Sequence, residues 1–351
     1  MEYIPYTHEK MKLMSYRHHT PDAVGVAFVL HGLHEYAESH INTMKWFVSQ
    51  GYSVFALDLE GHGRSVEGTP TGIMTDLSAV IDTWVAFAHE ICKDERYVGK
   101  PAFLYGHSLG GTTGILVSRR CKDILNGSII SAPTIYINAN KAATTFLPAL
   151  SHVFKGMKIM ELDRSTLAHD QEIGKLAAQD PFCTNAPVRA QSGRQMLLLT
   201  KEIQNHFDQD TYPLFVYHGK DDSLTPVKNT EMFFEGAAST DKTVHYFEDT
   251  YHEVHNEPCK EEMYRMIKEF MDKHPDKQKV EEPAPSEKKP TESKPASKQA
   301  ETMEETPQEE EKKEEDKKEE EKKEEPKEEE KKEEEAKEEP KEETPEENKS
   351  E

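Results

Sequence analysis

The sequence predicts an α/β domain: a mostly parallel sheet covered on both faces by helices. Two observations carry this. Short β-rich runs alternate along the chain with segments of helical periodicity, and turns bearing glycine, histidine or acid follow the C-terminal ends of several runs. Val24–Leu30 is the first run and ends in His31-Gly32. His40–Gln50 reads as a helix with Ile41, Met44, Phe47 and Val48 on one side, and Tyr52–Leu57 is the next strand, closed by the turn-rich stretch Asp58–Gly63. Asp76–Ile91 carries the plainest helical pattern, with Leu77, Val80, Ile81, Trp84, Val85, Ala88 and Ile91 at helical spacing. Phe103–Tyr105 is short and apolar, and Leu109–Arg120 after it reads as a helix. Gly127–Ile130, Leu214–Tyr217 and Val244–Phe247 are the later strands, and an amphipathic helix runs from about Glu261 to Lys273.

One stretch breaks the alternation. From Pro133 to Pro213 the chain is far longer than a strand–helix connection and has helical periodicity of its own, so it reads as an inserted helical cap. Phe146, Leu147, Leu150, Val153, Phe154 and Met157 fall on one side of that pattern, with Lys155 and Lys158 nearby.

Composition divides the 351 residues at about Asp276. Residues 1–276 have enough apolar content for one large domain. Residues 277–351 hold 18 Lys against 31 Asp and Glu, which is −13 of the chain's formal −23. After Val280 this tail has no aromatic residue and one sizeable apolar side chain, Met303, and eight prolines interrupt its Glu-Lys blocks. It cannot bury enough surface to offset the entropy of ordering, so a disordered tail is expected. Its acidic excess suits basic partners and opposes anionic membranes, and the net charge of the whole chain argues against nucleic acid. The four cysteines, Cys92, Cys121, Cys183 and Cys259, lack metal-ligand or redox spacing. Met1–Thr20 has no apolar signal core, and no run approaches the roughly 20 apolar residues of a membrane span. These features predict a reduced, cytoplasmic location.

The chemistry centres on Gly106-His107-Ser108-Leu109-Gly110. A hydroxyl is a poor nucleophile at neutral pH and needs a base, a group that orients the base, and donors for the oxyanion. Ser108 lies between a short strand and a helix, where a sharp turn crowds the residues two before and two after it, and both are glycine. By itself the pattern also fits a Gly-rich turn around a buried serine. The acid and base should follow in that order along the chain. Leu214–Tyr217 runs into His218-Gly219-Lys220-Asp221-Asp222, where Asp221 and Asp222 are rivals for the acid. Val244–Phe247 precedes His252 and His255, two of 17 histidines, and His252 lies nearer the strand end. Backbone N–H groups of Leu109 and Leu33 are the candidate oxyanion donors.

Five blocks now resemble a known family: FVLHG (28–32), ALDLEGHGRS (56–65), YGHSLGG (105–111), VYHGKDDSLTP (216–226) and EDTYHEVHNE (248–257). They are similar to the monoglyceride lipase and serine aminopeptidase branch of the α/β-hydrolases, often described as lysophospholipase-like, across nearly all of residues 10–275. The resemblance implies the α/β-hydrolase fold and a Ser108, Asp222, His252 triad, with Leu33 and Leu109 at the oxyanion positions. It implies that the insertion, including Asp180-Pro181, is a lid that shapes an acyl tunnel and can dock on membranes. One departure stands out: Tyr36 follows Glu35 where the family commonly has a second histidine.

The leading expectation is a serine esterase acting on monoacylglycerol or lysophospholipid, with no metal or cofactor. An aminopeptidase or small-ester hydrolase would use the same triad. A non-catalytic protein acting through its acidic tail is the remaining alternative, and the complete set of triad members weighs against it.

Overall fold

A computed structural model describes residues 1–66, 68, 71–137, 151 and 154–275. The expectation for the tail at 277–351 lies outside these residues, as do Phe146, Leu147, Leu150 and Val153. Eight strands form one sheet in the order β1-β2-β4-β3-β5-β6-β9-β10: β1 Glu2–His8, β2 Met11–His18, β3 Gly25–Leu30, β4 Tyr52–Leu57, β5 Ala102–His107, β6 Gly127–Ser131, β9 Leu214–Gly219 and β10 Lys242–Phe247. The pairings β1–β2 and β2–β4 are antiparallel; from β4 to β10 every pairing is parallel. Every residue of β3, β4, β5, β6 and β9 is buried, as strands covered on both faces require.

The pleat of β5 shows how the two faces are filled. Successive side chains point to opposite sides. Phe103 and Tyr105 meet Phe270 and Phe47, at ring-centroid distances of 6.3 Å each. Phe47 belongs to α1 (Ile41–Ser49) and Phe270 to α7 (Lys260–Lys273), and these helices touch through Trp46 stacked on Tyr264. On the other side, α3 (Leu109–Arg120) lies so close that a Cβ on Gly114 would come within 2.8 Å of Leu104. Packed beside it is α2 (Leu77–Lys93), whose N-cap Asp76 accepts the Ala79 N–H at 3.0 Å. Trp84 and Phe87 of α2 are fully buried.

The insertion between β6 and β9 differs in part from the helical expectation. It contains α4 (Gln171–Gln179) and α5 (Ala190–Asn205), and also a two-stranded antiparallel ribbon of β7 (Lys158–Met160) and β8 (Val188–Arg189). Phe154 and Met157, expected on a helix, lie in a turn closed by the Met157 N–H to Phe154 C=O bond at 3.0 Å. Helix α6 spans Lys228–Gly236. No helix among the described residues is long and apolar enough to cross a membrane.

Candidate active site

Three loops meet at the C-terminal edge of the parallel strands: those after β5, β9 and β10. At the first, Ser108 sits in the left-handed region with φ 54° and ψ −121°, a conformation that costs energy for a residue with a side chain. Its N–H donates to the Ser131 carbonyl at 2.9 Å, and its carbonyl accepts the Thr112 N–H at 3.0 Å, which starts α3. The turn is tight because two glycines allow it. A Cβ on Gly106 would lie 2.5 Å from the Gly110 oxygen, and one on Gly110 would lie 2.3 Å from the Leu30 oxygen. Leu109 is the first helical residue, so its N–H belongs to the group that helices leave without an internal acceptor.

The second loop separates the two rival acids. Asp221 is exposed, whereas Asp222 is buried and its Oδ2 accepts the His252 Nδ1–H at 2.6 Å. Four further donors hold the Asp222 carboxylate. Its Oδ1 accepts the Leu224 and Thr225 N–H groups at 2.8 and 2.9 Å; its Oδ2 accepts His218 Nε2–H at 2.9 Å and the Thr225 hydroxyl at 2.8 Å. Burial opposes its ionisation, but the charge of His252 and the bonds from His218 and His252 outweigh that and hold the carboxyl far below the usual range. His252 shows the reciprocal effect: burial lowers its pKa, and the charge and hydrogen bond of Asp222 more than restore it, leaving it raised. His218 and Thr225 had no role in the sequence reading. The first is a histidine at a strand end, the second a threonine three residues after an aspartate, and both are common patterns.

His252 reaches the elbow through its neighbour: its ring lies 4.6 Å, centroid to centroid, from that of His107, the residue before Ser108. The His255 ring lies 5.1 Å from His107 and 4.7 Å from His40. Burial and the nearby His40 push His255 down to about 3, so it is neutral. Leu33 is half-buried in the loop after β3, next to Gly32. A Cβ on Gly32 would lie 3.2 Å from Ser108 Cβ, so the two candidate donor loops converge on the serine.

The insertion closes over this edge through bonds that sequence reading missed. Tyr36, the departure from the family pattern, donates its hydroxyl to Asp180 at 2.9 Å. The Thr184 N–H donates to His34 C=O at 3.0 Å, and the Glu253 N–H to Leu167 C=O at 2.8 Å. Buried Glu257 accepts the Tyr251 N–H at 3.0 Å and the backbone N–H of His169 at 3.2 Å, and pairs with the His169 ring at 3.0 Å. A cavity of 420 Å³ lies between these loops, lined by Ser165, Thr166, Gln171, Asp221, Ser223 and Tyr251; Ser108 does not line it. Among the described residues no group of three or more His, Cys, Asp or Glu is arranged to hold a metal ion.

Comparison with known proteins accords with this architecture. The profile of the family described as serine aminopeptidase, S33 matches residues 21–259. The chain is 31% identical over 219 residues to caffeoylshikimate esterase of Arabidopsis thaliana, which spans 59% of this chain and 64% of that enzyme. It is 29% identical over 241 residues to monoglyceride lipase of Rattus norvegicus, spanning 68% and 78%. A solved soluble variant of Saccharomyces cerevisiae monoglyceride lipase superposes with a TM-score of 0.68 at 21% identity, covering 78% of this chain and 96% of that one, a likeness of fold. The chain belongs to the serine aminopeptidase S33 family, in the monoglyceride-lipase-like branch of the α/β-hydrolases.

Proposed function

We propose that this serine ester hydrolase cleaves monoacylglycerols or lysophospholipids through an acyl-enzyme formed on Ser108. The observation that carries the reading is the buried 2.6 Å bond between Asp222 and His252, standing behind a serine on a strained strand-to-helix turn. His252 takes the Ser108 proton as the hydroxyl attacks the ester carbonyl, then delivers it to the leaving alcohol. Asp222 keeps the imidazole proton on Nδ1, so that Nε2 is the basic nitrogen, and stabilises the imidazolium. The Leu109 and Leu33 N–H groups receive the developing oxyanion. Water, activated by the same histidine, then releases the acid.

The lipid substrate is supported by the monoglyceride lipase relative and by exposed apolar residues in the described part of the 133–213 insertion. Phe154 is 56% exposed, and Met157, Ile159 and Met160 are exposed beside it. An exposed apolar surface next to Lys155 and Lys158 suits contact with a lipid surface from the cytoplasmic side. The caffeoylshikimate esterase relative favours a second reading, in which the acyl group is aromatic.

Fluorophosphonate labelling tests the nucleophile. The parent protein should label and Ser108→Ala should not, with a loss of hydrolysis of at least about 10³-fold. Competition by long-chain monoacylglycerol, lysophosphatidylcholine, a hydroxycinnamoyl ester and an aminoacyl amide then ranks the substrates. Labelling that persists in Ser108→Ala would overturn the mechanism, and protection by the amide alone would overturn the ester substrate.

A further inference from the structure

We propose that His31 and Glu35 are positioning residues that aim the Leu33 N–H at the reacting oxygen by clamping the two peptide units on either side of Gly32. This deepens the proposed function and rests on Ser108 as nucleophile.

The clamp follows from hydrogen-bond roles that cannot be exchanged. The Leu59 N–H, always a donor, points at His31 Nε2 from 2.9 Å, so that nitrogen is bare and the ring proton sits on Nδ1. Nδ1–H donates to the Gly32 carbonyl at 2.8 Å. A trans peptide is planar, with the C=O of one residue and the N–H of the next pointing in opposite directions. Holding the Gly32 carbonyl therefore fixes the direction of the Leu33 N–H. The preceding peptide is held too, because the Gly32 N–H donates to Glu35 Oε2 at 2.9 Å. With both peptides anchored, Gly32 cannot rotate, and no residue among those described accepts the Leu33 N–H.

The same carboxylate is held from behind by His40, whose Nε2 lies 3.0 Å from Glu35 Oε2. Burial opposes ionisation of Glu35, but the hydrogen bond and charge of His40 outweigh it, and the carboxyl stays well below its ordinary pKa. Burial, with the nearby His62, pushes His31 down to about 3, so the ring keeps its neutral tautomer through the working range. The clamp also lies in the right place: a Cβ on Gly32 would meet both Glu35 Oε2, at 3.1 Å, and Ser108 Cβ, at 3.2 Å.

Three substitutions at one position test it. Glu35→Ala removes the acceptor, Glu35→Asp keeps the charge but withdraws the oxygen by one methylene, and Glu35→Gln keeps the oxygen without the charge. Losing an oxyanion donor outright costs about 10²–10³ in kcat, so a donor that is present but badly aimed should cost about 10- to 100-fold. The alanine and aspartate variants should show that loss with KM within about twofold, and the glutamine variant should stay within about fivefold of the parent. Affinity for a trifluoromethyl ketone, whose adduct places an anionic oxygen in the hole, should fall by the same factor as kcat/KM. Active-site titration, counting only folded enzyme, keeps a folding defect from imitating the effect. An aspartate variant as active as the parent, or a glutamine variant as poor as alanine, would overturn the clamp, as would inhibitor affinity that stays constant while kcat falls. Failure of the underlying reading shows separately, as hydrolysis by Ser108→Ala.

Discussion

His252 is a buried histidine whose pKa is raised, and the sign of that shift has a kinetic consequence. In its proposed role as general base, His252 works only when unprotonated. The rise of kcat/KM with pH should therefore be centred above ~6.5, the value of an unperturbed histidine. Asp222→Asn removes the charge that raises it and favours the wrong tautomer, so kcat should fall by about 10⁴-fold. A pH–rate profile of the parent and a single-pH assay of the variant check both; a parent profile centred below 6.5 contradicts the assignment. The proposed acid, Asp222, was singled out in the sequence only through family resemblance, because Asp221 and Asp222 are chemically identical neighbours. Burial separates them, and burial here depends on Thr225 and His218 folding around one carboxylate, a tertiary fact that local pattern does not encode. The same holds for Glu257, an ordinary acid in the sequence, which bonds the nearby Tyr251 N–H and also His169, far away in the chain.

At the scale of elements, the central strands and the turn around Ser108 were the most readable parts. Strands buried on both faces are continuous apolar runs, and Tyr52–Leu57 and Leu109–Arg120 have the bounds their sequences predict. The β1–β2 hairpin was not predicted. It is an edge, half exposed, with Pro5 and several charged or polar residues, so neither continuous nor alternating apolar pattern marks it. Inside the insertion, Phe154 and Met157, grouped by their spacing on a helix, lie in a turn, because apolar spacing alone cannot distinguish a helix face from exposed apolar residues in a turn. The elbow permits a sharper expectation. Alanine at Gly106 or Gly110 would press a methyl carbon against backbone oxygen, which cannot swing aside as a side chain can. Each variant should lose at least ~2 kcal/mol of stability by denaturant unfolding. A loss under 0.5 kcal/mol for either would mean the turn relaxes freely.

For the molecule as a whole, what matters is how the insertion is joined to the sheet that carries the triad candidates. One joint is a buried ion pair: Arg119, near the end of α3, binds Asp210 through two bonds of 2.8 Å and also donates to the Ile203 carbonyl at the end of α5. Breaking such a pair leaves a buried charge alone, so Arg119→Met should destabilise by about 3–5 kcal/mol. Adding Asp210→Leu to that variant should restore part of the loss, and equal stability of single and double variants would show that the charge is not stranded. Both measurements use the full chain. The second joint is Glu257, whose carboxylate ties the His169 segment to the Tyr251 backbone, one residue from His252. Movement of the insertion along this seam would displace the candidate base in the same motion. The carboxylate of Glu257 thus fastens part of the insertion and the loop of the candidate base as one piece.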